Sequence, residues 1–160
     1  MAKIKVVGID SFVRDLNDLA GDTEGICKMA VYEGAKVVAD SVKANINALP
    51  TRDGKYVPKG KKARGATPEE KAALQSGFGI SRMRANGTID VSIGFDGYMS
   101  GGTKNYPKGK PISMIARSIE SGTSWLQKTP FVNRGVASSK GAAEAAMQKC
   151  FDEQIKKRGI

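Results

Sequence analysis

Residues 22–50 read DTEGICKMAVYEGAKVVADSVKANINALP. Along this stretch Val31, Ala35, Val38, Val42, Ile46 and Leu49 recur at steps of three and four, which draws one continuous apolar stripe down a helix. Asp22-Thr23 opens that helix and Pro50 ends it. Its single apolar face has to be covered by the elements on either side.

Upstream, Lys3-Ile4-Lys5-Val6-Val7 is a β-branched run closed by Gly8 and predicts a first strand. Asp10 or Ser11 then caps a short helix bearing Phe12, Leu16 and Leu19, which stops at Gly21. Downstream, residues 51–66 (TRDGKYVPKGKKARGA) set six basic residues against Asp53, with three glycines. No hydrophobic period survives there, so an exposed, mobile loop is expected. Thr67-Pro68-Glu69-Glu70 supplies an N-cap, a proline at the first helical position and acids in the first turn of a short helix through Leu74.

From Phe78 to Phe95 the period changes to two. Ile89, Val91, Ile93 and Phe95 alternate with Asp90, Ser92 and Gly94, as in a strand with one buried face. Asn86-Gly87 precedes it, so residues 78–84 and 88–95 predict a hairpin. Residues 97–111 form a second Gly/Lys/Pro loop. Ser113 caps a short helix with Met114, Ile115 and Ile119, stopped by Gly122 in the left-handed conformation. After Pro130-Phe131 a last helix covers 136–157, with Ala143, Met147, Phe151 and Ile155 on one face. The expected fold is therefore α+β. A small antiparallel β-sheet, joined by the 3–7 strand, packs on the long central helix and the C-terminal helix, and the basic loops lie outside. The 160 residues suit one domain, 1–160.

The formal net charge is +10, and it is uneven: residues 1–50 sum to −1, residues 51–110 to +7 and residues 111–160 to +4. With no histidine in the chain, Ser-His-Asp triads, His-ligated zinc and imidazole acid–base catalysis are excluded. Cys27 and Cys150 lie in helical patterns and read as small buried hydrophobes, without establishing an oxidising compartment. No apolar run approaches the length of a membrane span, and Met1–Gly8 is too short for a signal peptide, so no membrane contact is expected and assembly in the cytoplasm is.

Gly54 to Lys61 suggests a phosphate loop, but five residues separate its glycines and Lys62 stands where Ser or Thr is required. Gly77-x-Gly79 reaches Arg82 where a dinucleotide fingerprint needs a third glycine. No cofactor or metal is expected. The Lys/Arg clusters at 59–64 and 104–110 can neutralise phosphates, although Tyr56 and Tyr106 are isolated and no helix resembles a major-groove reader. Glu120 sits between Ile119 and the Gly122 turn, a place for a fixed hydrogen-bonding role. A lone acid without a partner base is a poor catalyst, and no enzymatic activity is expected.

The segment PISMIARSIESGTSWLQKTPF, residues 111–131, runs from a short helix through Ile-Glu-Ser-Gly-Thr-Ser to a Pro-Phe that opens the terminal helix. It resembles the tail-completion, or head–tail joining (neck), family of long-tailed bacteriophages, to which lambda minor tail protein Z is related. The Lys3–Gly8 strand with the Asp10 helix, the Gly34-Ala35-Lys36-Val37-Val38 helix, Leu74-x-Ser76 and Val91-x-Ile93-Gly94-Phe95 resemble that family in kind and order. The basic 51–66 loop is longer than the family's usual linker.

The resemblance implies a structural virion protein that completes the head-proximal end of the tail, so that head and tail can join. It implies a six-fold ring of copies, contacts with neighbouring neck, connector and tail-tube proteins, non-specific contact with DNA in the channel, and assembly in the host cytoplasm. Glu120, Gly122, Thr123, Pro130 and Phe131 are then the candidate subunit or partner contacts. Lys59, Lys61, Lys62 and Arg64 either line the DNA channel or dock on a partner. The alternative, from charge alone, is a non-specific nucleic-acid-binding module working through the basic loops.

Overall fold

The computed structural model describes residues 9–86 and 88–158, and for residues 9–22 and Ala85 the backbone alone. The expected strand at 3–7 and Gly87 of the expected Asn86-Gly87 turn lie outside the described residues.

Helix α1 spans Ile9–Asn47, 39 residues without interruption. The expected stop at Gly21 is not made. An interior glycine costs about 1 kcal/mol relative to alanine, whereas ending a helix and starting another requires a second unfavourable nucleation. Continuation wins. The helix closes just before Leu49-Pro50, because the residue preceding a proline is driven out of the α region.

Helix α4 spans Phe131–Lys157 and runs antiparallel to α1. It starts five residues earlier than the apolar pattern announced, since Phe131, Gly135, Ser139 and Ala143 are its buried line. Two of those four residues are not apolar in the usual sense, which hid the first turns. The helices touch at Gly135, where an added Cβ would lie 2.7 Å from the Val42 side chain and 2.9 Å from its Cα. Ser41 Oγ donates to the Gly135 carbonyl at 3.0 Å, and Asn45 Nδ2 donates to the Phe131 carbonyl at 2.9 Å. Further along, Met147, Phe151 and Ile155 are half-buried. Cys27 and Cys150 are free thiols on these helices, half-buried rather than buried, because two helices alone leave both flanks of their seam open to water.

The main core gathers at the C-terminal end of α1. Val42, Ile46 and Leu49 pack there with Leu74, Ile112, Ile115, Ile119, Leu126 and Phe131, all at most 4 % exposed. Helix α2, Pro68–Gly77, begins as expected: Thr67 Oγ1 accepts from Glu70 N while the Glu70 carboxylate accepts from Thr67 N, a reciprocal capping box. It continues three residues past Leu74. Helix α3, Ile112–Ser121, buries Ile112, Ile115, Ala116 and Ile119. Ser113 lies inside its first turn and does not cap it. Pro111 holds the cap position, and the Ile112 amide is taken by the Gly97 carbonyl at 3.1 Å.

The hairpin is antiparallel and broken in two. β1 (Phe78–Ile80) pairs with β4 (Ile93–Phe95), and β2 (Arg84–Ala85) pairs with β3 (Ile89–Asp90). The register shifts by one between the pairs, leaving Arg82 and Met83 opposite Val91, as in a β-bulge. Ile89, Val91, Ile93 and Phe95 are half-buried and Asp90, Ser92 and Gly94 exposed, as the alternation requires. Phe95 meets Phe78 at 5.2 Å and the edge of Phe131 at 6.1 Å between ring centroids. The fold is mixed α+β: the long helices α1 and α4 packed together, with a small antiparallel sheet at one end.

Candidate functional site: the α3–α4 corner and the basic loop

Five resemblance residues close the turn between α3 and α4. Gly122 ends α3 with φ 75° and ψ 169°. The positive φ is the one expected, but the left-handed helical ψ expected with it is not adopted: the residue lies in the extended positive-φ region, which is essentially restricted to glycine. An added Cβ would lie 2.8 Å from the Lys128 amide nitrogen. Thr123 then ties the turn at both ends of its own residue. Its amide donates to the Leu126 carbonyl at 2.9 Å, and its Oγ1 accepts from the Leu126 amide at 3.0 Å. The Thr129 amide returns to the Ile119 carbonyl at 2.8 Å.

Glu120 reaches across this turn to the start of α4. Its Oε2 accepts from the Val132 amide at 2.8 Å and its Oε1 from the Asn133 amide at 3.0 Å. Pro130, at the cap position, makes no side-chain cap of its own. A carboxylate from α3 thus satisfies two first-turn amides and meets the positive end of the α4 dipole. Pro130 bends the chain so that the Phe131 amide contacts the Thr129 carbonyl at 2.9 Å, and Phe131 itself is 3 % exposed in the core. All five candidates are brought together. Glu120 and Phe131 spend their functional groups within the chain, and the outward surface of the corner belongs to Ser121, Ser124, Trp125, Gln127 and Lys128.

The basic loop is not free. Thr51 and Ala66 form a parallel bridge, with Arg52 N donating to Ala66 O and Ala66 N to Pro50 O, each at 2.9 Å. Gly65, at φ 82°, lies so close to the Pro50 carbonyl that no side chain fits. The expectation of mobility is corrected at the base: local polarity gave no sign of these long-range backbone bonds. The tip fits the expectation of exposure, with Lys59, Lys61, Lys62 and Arg64 all facing solvent. The loop at 97–111 is similarly tied, by a bridge between Tyr98 and Pro111.

The two groups of candidates form one surface. Ala63 and Leu126 make a parallel bridge, Ala63 N donating to Trp125 O at 2.9 Å and Gln127 N to Ala63 O at 2.7 Å. Arg52 is the hub behind it. Its guanidinium pairs with Glu70 at 2.7 Å, both side chains about 15 % exposed, and donates through Nε to Gly65 O at 3.3 Å. Its Cζ also lies 5.1 Å from the centroid of the Trp125 ring. Neither Arg52 nor Trp125 was singled out from the sequence. The available signal for Trp125 was that it is the chain's only tryptophan, next to an apolar residue inside a Gly-Thr turn.

Among the described residues no group of His, Cys, Asp or Glu side chains is placed to hold a metal ion, and no helix is long and apolar enough to cross a membrane. Compared with protein-family models, with curated proteins and with solved structures, the chain matches none.

Proposed function

We propose that this chain is a structural, non-enzymatic protein of a long-tailed bacteriophage virion, a neck or tail-completion component that finishes the head-proximal end of the tail and joins it to the head. The observation that carries the reading is the α3–α4 corner. Glu120, Gly122, Thr123, Pro130 and Phe131, the residues on which the resemblance rests, close a single hydrogen-bonded joint in the order the resemblance requires. A joint capped by a carboxylate and built on a glycine-only turn holds α3 and α4 at one fixed angle, which suits a subunit that must repeat around a symmetric ring. Its partners on this reading are further copies of itself in a six-fold ring and the adjoining connector and tail-tube proteins. It takes no cofactor, and it is assembled in the host cytoplasm.

The experiment is complementation of particles that lack this chain. Full heads and separate tails should accumulate without it. Adding the purified protein should convert them to joined particles, in which image reconstruction finds a ring of this chain at the top of the tail. Normal joining in its absence, or density for it elsewhere in the particle, would overturn the reading.

A further inference from the structure

We infer that the tip of the 51–66 loop, together with the face of Trp125 beside it, is a surface for nucleic acid, held through its phosphates without reading bases. It decides between the two roles the sequence left open for these cations, adds Trp125 to the surface, and does not depend on the neck reading.

Lys59, Lys61, Lys62 and Arg64 are exposed, and among the described residues none of them has an ion-pair partner. Asp53, the acid of this loop, pairs with Lys55 at its base, and residues 54–68 contain no acid to offset the charge of the tip. The cations are displayed on a loop closed at its base, and the ordering cost that a free basic tail meets on binding is largely absent. The bridge from Ala63 to Leu126 sets the indole of Trp125, 43 % exposed, against this charged loop. Arg52 stacks against that ring, and the loop also carries Tyr56, 87 % exposed. Unpaired cations held on a loop that is already closed are what a phosphate backbone needs. An acidic protein fits less well. Lysine and other charged groups are depleted from the cores of protein interfaces, and the loop offers no apolar centre, since Val57 and Ala63 are turned partly inward.

Trp125 reports on the surface directly, being the chain's only tryptophan. Its emission is followed while the full chain is titrated with a DNA duplex of about 30 base pairs and arbitrary sequence, between about 50 and 200 mM salt. Emission should change on binding, equally for unrelated sequences. The salt dependence should be steep, with a slope of log K against log salt of about −3 or beyond. The variant K59Q/K61Q/K62Q/R64Q should keep the wild-type circular dichroism and lose about three units of that slope. Should it fail to fold, acetylation of the wild type serves instead, with Lys59, Lys61 and Lys62 protected when DNA is present.

Three results overturn the inference. One is no binding at about 50 mM salt. Another is binding that leaves Trp125 emission or the loop lysines unchanged. The third is polyglutamate binding as tightly as the duplex, which would assign the surface to an acidic protein. None of these bears on the complementation test, so the two readings fail separately.

Discussion

The carboxylate of Glu120, on the last turn of α3, receives the amide of Val132 at 2.8 Å on the first turn of α4. One side chain thereby ends one helix's corner and begins the next helix, with Asn133 sharing the same carboxylate. Removing it leaves two amides and a helix dipole without their counterpart.

Glu120→Ala should therefore lower stability by about 1–2 kcal/mol, the usual worth of an N-cap with a dipole contribution. Glu120→Gln keeps one acceptor oxygen and should lose roughly half as much. Urea denaturation followed by circular dichroism checks both. Equal stability of all three proteins would show that the contact carries no energy.

Two glycines of α4 should respond to alanine with opposite signs. Gly141 has nothing within 4 Å of an added Cβ, so Gly141→Ala should stabilise by about 0.5–1 kcal/mol through helix propensity. Gly135→Ala brings the same propensity gain, but its Cβ would stand 2.9 Å from the Val42 Cα, and backbone cannot swing aside. It should destabilise by about 1–3 kcal/mol. Melting temperatures moving in the same direction would contradict the close crossing of α1 and α4.

Arg52→Lys is not a conservative change here. A lysine can still meet Glu70, but it has no planar fork for Gly65 and no flat face for Trp125. Arg52→Ala takes the cation from Glu70, which keeps the Thr67 amide, a loss of about 1.5–3 kcal/mol. Both should speed hydrogen exchange at the Ala66 and Ala63 amides, which hold the base of the loop. Unchanged exchange there in Arg52→Ala would mean the loop is closed by its backbone alone.

Val38 lies half-buried against the main core. Val38→Asp should put a carboxylate without a partner there and prevent soluble folding, or cost several kcal/mol at the least. Wild-type thermal stability would remove Val38 from the stripe.

Where many residues repeat one physical demand, the sequence was readable. The stripe predicts the burial of Ala35, Val42, Ile46 and Leu49, while Val31 and Val38 are only half-buried and Ala30 and Ala39 are the buried residues beside them; the alternation from Ile89 to Phe95 predicts which side of the hairpin turns inward. Single-residue punctuation misled. Gly21 looked like a stop and Ser113 like a cap, but each is overruled by a helix that gains more by continuing or by starting at Pro111. The role of Glu120 was only half visible: its setting suggested a fixed hydrogen bond, while the amides that donate to it lie twelve and thirteen residues on. The joining of Trp125 to the basic loop was invisible, because the Ala63–Leu126 bridge is a backbone contact that neither side chain announces.

The pairing of α1 with α4 also governs how the chain comes to be folded. The first described helix finds its partner in the last, so their seam is sealed only after everything between them has been made. During synthesis the stripe on α1 must wait uncovered, and contacts of such long sequence separation are slow to form. Chains cut short before Phe131 should be captured by chaperones or aggregate, even though α2, the hairpin and α3 are complete in them.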